Sequence, residues 1–420
     1  MRNMILRKIF SAWNYIQTFV KWIIIASLTG VLGGLIGTAF SHCITYANKI
    51  NNENWWIVLT MPLGGLVIAA LYKLSKIKDS LDTNLVLNSI RTKGYVPWVM
   101  SPLIFAGTVI THLVGGSAGR EGAALQLGGS LGSVVGRVLK LDEKDMHLAI
   151  MCGMSSVFSA LFGTPITAAF FALEVISVGV TYYSALVPCF VSSIVAYFLA
   201  INLGVQPMRF NVDNVLPEIT IGTLAQVIGL SAVCAVVSIV FCVAMRKSTK
   251  YAPKIIKNDY LRVVLGALII VGLTFLIGNR DYNGAGSQII TNALGGIAKP
   301  EAFVMKIIFT AVTISCGFKG GEIVPTLFIG STFGCVFGPV IGLDPSFSAA
   351  IGFICLFCGV INCPLASILL SVEVFGASGL IFFAIGASVA YMLSGYYGLY
   401  SGQKILYSKL KAEYININAK

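Results

Sequence analysis

The chain has 420 residues, 56% of them apolar and only 11% charged, with a mean hydropathy of +0.86 and a net charge of +12. An average soluble domain carries about 25% charged residues, so this composition cannot cover the surface of a water-soluble fold and excludes a soluble enzyme, a nucleic-acid binder and a disordered chain. The positive excess reads as basic loops facing an anionic cytoplasmic leaflet.

The N-terminus, MRNMILRKIFSAWNYIQTFVKW, is basic and amphipathic and has no small-residue cleavage site. It predicts a short helix on the cytoplasmic surface over 1–20 rather than a signal peptide. Apolar runs follow at 22–46, 55–72, 97–116, 181–203, 219–245, 261–278, 302–316 and 378–396. Those near 20 residues are long enough to cross a bilayer as helices. Between them lie shorter pieces broken by Gly and Pro, at 121–139, 144–161, 164–177, 322–341, 346–361 and 363–376. Interrupted helices at membrane depth are tolerated only where protein or a polar cavity surrounds them. Basic clusters at 2–8, 73–78, 246–257 and 404–411 place both termini on the cytoplasmic side.

The short pieces repeat. GSAGREGAALQLGGSLGSVVGRVLKLD and CGFKGGEIVPTLFIGSTFGCVFGPVIGLD carry matching glycines at 128, 132, 136 and 330, 334, 338, at an offset of 202. GTPITAAFFALEV then matches NCPLASILLSVEV, pairing Pro165 with Pro364 and Glu174 with Glu373 at an offset of 199. This is an internal duplication. Repeats that carry interrupted helices point to a transporter with its site between the halves. The division expected is a first membrane repeat over 21–204, a connector over 205–218, a second repeat over 219–397, and a C-terminal helix and tail over 398–420. Sequence alone leaves parallel and inverted repeats both open.

Thirteen of the 17 carboxylates lie in connectors and tails; Glu121, Glu174, Glu322 and Glu373 sit in or beside apolar stretches. An ionisable group at that depth marks a functional site by default. Two pairs suggest themselves, Glu121 with Glu322 at the glycine-rich loops and Glu174 with Glu373 behind them. Each loop, Gly115–Gly122 and Gly317–Gly321, precedes an apolar helix. A helix start leaves backbone N–H groups unpaired and partly positive, and glycine lets an anion approach them. Glu121, in the first turn, competes with an anion for those donors and releases them when protonated. Arg120 beside it reads as an ion-pair or carbonyl clamp. Gly128, Gly132, Gly136 and their counterparts read as helix packing. Glu174 and Glu373 are either structural acids near helix ends or part of a proton route, and Glu322 receives a proton or accepts a hydrogen bond.

Other chemistry is poorly supported. Cys355 and Cys358 spell C-x-x-C inside an apolar run, which suits packing. His42, His112 and His147 are scattered without a metal spacing. GGSLG, Gly128–Gly132, lacks the strand–turn–helix of a nucleophile elbow. No metal or cofactor is expected, and the chain reads as a transporter rather than an enzyme.

GSAGREGAALQLGG resembles the G-R-E-G-x filter motif of the CLC chloride channel and transporter family, and GFKGGEIVPTLFIG resembles that family's second filter loop. The Pro-to-Glu motifs and GLYSGQKI near the end match as well. The likeness runs from about residue 20 to 410. It implies an all-α polytopic fold of two inverted repeats, a homodimer with one ion path per subunit, and a gating, proton-coupling glutamate at Glu121. Glu322 in the second loop is similar to the fluoride-specific bacterial branch; chloride members carry an apolar residue there. The G-S-G-x-P loop of chloride members is absent, and DSLDTNLVLNSI stands in its place, with Asn84 preferred over Thr83 as the ligand. Val175 occupies the position of the inner proton glutamate of chloride antiporters. The resemblance assigns Tyr400 as the inner tyrosine, with Tyr407 in reserve, and gives an anion site of Asn84 or Thr83, Gly119, Arg120, Gly122, Ala123, Glu322, Ile323, Val324 and Tyr400. Ala123 and Val324 depart from the fluoride pattern, where Thr is expected.

The expected function is export of fluoride in exchange for protons across a bacterial inner membrane. Fluoride is small and hydrogen-bond-hungry, and N–H, amide and tyrosyl donors suit it. The alternative is a chloride-selective CLC-type transporter or a passive anion channel.

Overall fold

The computed structural model describes residues 2–75, 82–92 and 94–420, with residues 2–12 as backbone only. Residues 76–78 of the basic cluster and Asp79 lie outside the described residues, as do the side chains of the 2–8 cluster. The first half of the chain forms α1 (Arg2–Glu53), α2 (Met61–Leu74), α3 (Thr83–Arg91), α4 (Met100–Leu113), α5 (Glu121–Val138), α6 (Glu143–Phe162), α7 (Pro165–Glu174) and α8 (Leu186–Asn202). The second half forms α9 (Ile221–Ile255), α10 (Asp259–Ile277), α11 (Ser287–Leu294), α12 (Ala302–Ser315), α13 (Ile323–Phe337), α14 (Pro345–Ile361), α15 (Pro364–Phe375) and α16 (Leu380–Leu393). This is an all-α polytopic architecture. Among the described residues, seven helical stretches are long and apolar enough to cross a membrane.

Three expectations change. The N-terminal helix is not separate: α1 runs unbroken for 52 residues, because no Gly or Pro interrupts the chain before Gly30. At about 1.5 Å per residue it is more than twice as long as a ~30 Å hydrocarbon core. The runs at 97–116, 302–316 and 378–396 yield helices of only 14 residues each, α4, α12 and α16. The expected C-terminal helix is a pair of strands: β2 (Lys404–Tyr407) pairs in parallel with β1 (Ser177–Val178) and antiparallel with β3 (Tyr414–Asn418). KILY is rich in β-branched and aromatic residues and YININ alternates Ile with Asn, which suits a half-buried strand.

The two repeats are inverted. Lys21 of α1 bonds Asp145, just beyond the C-terminal end of α5. Arg280, beyond the end of α10, donates to the Asn51 carbonyl at the end of α1 (2.7 Å). The start of α10 follows the basic end of α9, so that end lies on the side of Lys21 and of the α5 C-terminus. The α13 C-terminus lies at the opposite face, where Gln226 near the start of α9 donates to the Ile341 carbonyl (2.7 Å). The matched helices α5 and α13 thus run in opposite senses. Packing repeats with them: α5 lies on α6 and α13 on α14. A Cβ at Gly128 would sit 2.2 Å from the Gly153 carbonyl oxygen, and one at Gly330 2.3 Å from that of Gly352. These glycines let helix backbones touch.

Candidate anion site

The two glycine-rich loops meet in the interior as a single antiparallel bridge. Gly119 N–H donates to the Gly321 carbonyl, and Gly321 N–H donates to that of Gly119, both at 2.7 Å. Residues 119 and 321 are repeat equivalents, so the pseudo-two-fold axis passes between them. The approach beside it demands glycine: a Cβ on Gly321 would lie 2.3 Å from the Gly122 backbone nitrogen.

This register corrects one pairing. The equivalent of Glu121 is Ile323, and the equivalent of Glu322 is Arg120; Arg120 and Glu322 precede α5 and α13 as their N-caps. The first helical backbone bonds are Ala124 N–H to Arg120 and Thr326 N–H to Glu322. Among the described residues, the amides of Glu121, Gly122, Ala123, Ile323 and Val324 therefore find no backbone acceptor.

Glu121 is buried. Its Oε2 accepts from the Arg120 amide at 2.9 Å, and its Oε1 lies 3.5 Å from Arg120 Nε. The carboxylate thus sits over the start of α5. The far nitrogens of the Arg120 guanidinium donate to Ser41 Oγ (3.0 Å) and the Leu161 carbonyl (3.4 Å). Ala123 and Val324 are buried beside it.

One cavity reaches this point, and a second opens on the other face. One of about 570 Å³ is lined by Asn48, His112, Arg120, Glu121 and Val324, and lies at the C-terminal end of α1. The other, of about 920 Å³ on the basic side, is lined by Tyr72, Asp82, Arg262 and Lys319. Lys319 holds its ammonium 4.2 Å from the Tyr72 ring centre, a cation–π contact. Glu322 is half-buried.

Tyr400 is buried, and its hydroxyl has no hydrogen-bond partner among the described residues. Tyr407 lies on β2, 45% exposed against Tyr414, which removes it as the inner tyrosine. Thr83 Oγ1 accepts from Gln126 Nε2 (3.2 Å). The Asn84 amide donates to Asp82 (3.1 Å) and accepts from Gly402 N–H (2.7 Å), so it holds the Tyr400 loop. Gln403, not singled out from sequence, completes that hold by donating to the Val175 and Ile361 carbonyls (3.0 and 2.9 Å).

Glu174 and Glu373 cap each other's repeat. Glu174 accepts from the amides of Leu365 and Ala366 at the start of α15 (3.2 and 2.8 Å). Glu373 accepts from Ile166 and Thr167 at the start of α7 (2.9 and 2.7 Å), and from the Thr167 hydroxyl. A helix start is electropositive, and a carboxylate there is stabilising. Charged hydrogen bonds contribute about 1.5–3 kcal/mol each. Glu373→Ala, which removes three such bonds, and Glu174→Ala, which removes two, are each expected to cost at least the about 1.5–3 kcal/mol of one bond, with Glu373→Ala the larger; thermal unfolding in detergent measures both, and an unchanged midpoint would sink the capping argument.

A polytopic chain whose inverted halves bring unpaired helix-start amides together between two opposed cavities is a membrane transport protein. It belongs to the voltage gated chloride channel family, which matches residues 74–395. A chloride/fluoride channel protein of Pseudomonas syringae pv. tomato is 32% identical over 93% of this chain and 87% of its own. The H(+)/Cl(-) exchange transporter ClcA of Vibrio campbellii is 24% identical over 92% of this chain and 89% of its own. The crystal structure of a CLC-type fluoride/proton antiporter superimposes with a TM-score of 0.88 at 30% identity, covering 91% of this chain and 98% of that one.

Proposed function

We propose that this chain exports fluoride in exchange for protons, with Glu121 alternately filling the anion site and carrying a proton. The observation that carries the reading is the Glu121 carboxylate over the α5 start, beside amides without acceptors. An anion arriving from the basic side finds those donors, with Tyr400 Oη as a further one, only when Glu121 leaves. Glu121 leaves as a neutral acid, so anion entry and proton carriage are one event. The likeness to a fluoride/proton antiporter at 30% identity supports the choice of anion, and Glu322, Thr83 and Asn84 complete the proposed surroundings. Ala123 and Val324 add no hydroxyl, so selectivity rests on backbone amides and Tyr400. The basic ends of α1 and α9 make the Lys319 side cytoplasmic, in a bacterial cell membrane, and the resemblance makes the working unit a homodimer.

Efflux from liposomes with a proton readout tests this. Fluoride efflux is expected to drive proton uptake, and chloride efflux to be far slower. Equal fluoride and chloride rates would overturn the selectivity, and fluoride flux without protons would make the protein a channel.

A further inference from the structure

His112 stands in the last turn of α4, 1% exposed, yet it lines the same cavity as Glu121. Its Nδ1 lies 3.0 Å from Asn48 Oδ1 of α1. In the tautomer that donates Nδ1–H to that amide oxygen, Nε2 keeps its lone pair. Among the described residues that Nε2 has no side-chain partner, and the ring lies against the Gly119 backbone. Buried polar atoms are nearly always paired, and an orphan calls for a reason.

We propose that His112 carries protons between this cavity and Glu121. The assignment rests on the antiporter reading and adds a residue to it. Nε2 takes a proton from a hydronium ion that enters the cavity, whose O–H bond breaks to leave water, and forms an N–H bond. That bond then breaks as the proton passes to a Glu121 carboxylate oxygen, and the imidazole returns to neutral. The charged groups around this site are Lys49 and Glu53 from α1, Arg120 and Glu121 from the first loop and α5, and Lys306 from α12. A purely structural His112 would tie α4 to α1 through Asn48 and do nothing more.

The two roles separate in reconstituted full-length protein, with fluoride efflux driving proton uptake. His112→Ala is expected to slow coupled uptake about 10²-fold, the lower end of what a positioned proton-transfer group contributes. External imidazole is expected to restore it by entering the space left behind. His112→Gln keeps a donor for Asn48 and guards against misfolding; it is expected to be slow as well, and to lose the inflection in the external-pH profile that the wild type has. Wild-type rates in either variant, or an Ala defect that imidazole leaves untouched, would overturn the assignment. A wild-type protein that moves fluoride without protons overturns the antiporter reading together with it, whereas a coupled wild type with unaffected variants overturns His112 alone.

Discussion

Glu121→Gln is expected to reduce fluoride-coupled proton movement to background while fluoride itself still passes. The substitution keeps the length of the side chain and an oxygen that can accept from the Arg120 amide. It removes the ability to gain and lose a proton. The weak contact to Arg120 Nε, 3.5 Å, loses its charge, so the side chain is held less tightly at the helix start and anions compete with it more easily. A pH-sensitive dye inside liposomes reads the protons, and an ion-selective electrode reads the fluoride. Proton uptake that continues unchanged would remove Glu121 as the coupling group. Compensation by Glu174 or Glu373 is not expected, because each is fixed by the helix-start amides of the opposite repeat.

Much of this arrangement was legible in the sequence, because glycine and proline punctuate it. Pro165 and Pro364 open α7 and α15, and the loops ending at Gly122 and Gly321 mark the starts of α5 and α13. The constant offsets of 202 and 199 residues gave the duplication, and the bonds exchanged by Gly119 with Gly321 follow that register residue by residue. The same register, applied to the acids, separates Glu121 from Glu322; proximity to similar loops had suggested a pair that the alignment does not contain. The short helices α3 and α11 went unread although their buried residues recur at helical spacing, because eight or nine residues fall short of the window over which such a period stands out. Partners far apart in sequence were not legible either. Gln403 reaches Val175 across 228 positions, and His112 reaches Asn48 across 64. A lone histidine in an apolar helix looks like core until it is found lining one cavity with Glu121.

Gly321→Ala is expected to abolish fluoride and proton movement together, unlike Glu121→Gln, which separates them. The added methyl would lie 2.3 Å from the Gly122 nitrogen and 2.8 Å from its Cα. Both are backbone atoms, so neither can swing aside as a long side chain would. One loop must withdraw, and the paired 2.7 Å bonds between Gly119 and Gly321 stretch or break. Overpacking costs about 1–3 kcal/mol, and each lost backbone bond about 1 kcal/mol more. The loss of function exceeds what that energy suggests, because this bridge sets the distance between the two helix starts. A shift of about 1 Å there takes donors from one repeat out of reach of an ion held by the other. Gly229→Ala in α9 is the control: no atom lies within 4 Å of the new methyl, and alanine in a helix is favoured over glycine by about 1 kcal/mol. Initial efflux rates and unfolding midpoints for the two variants give the comparison. A Gly321→Ala protein that transports at the wild-type rate would mean the loops are not held in register by this contact, and the two-fold anion site built on it would fall with it.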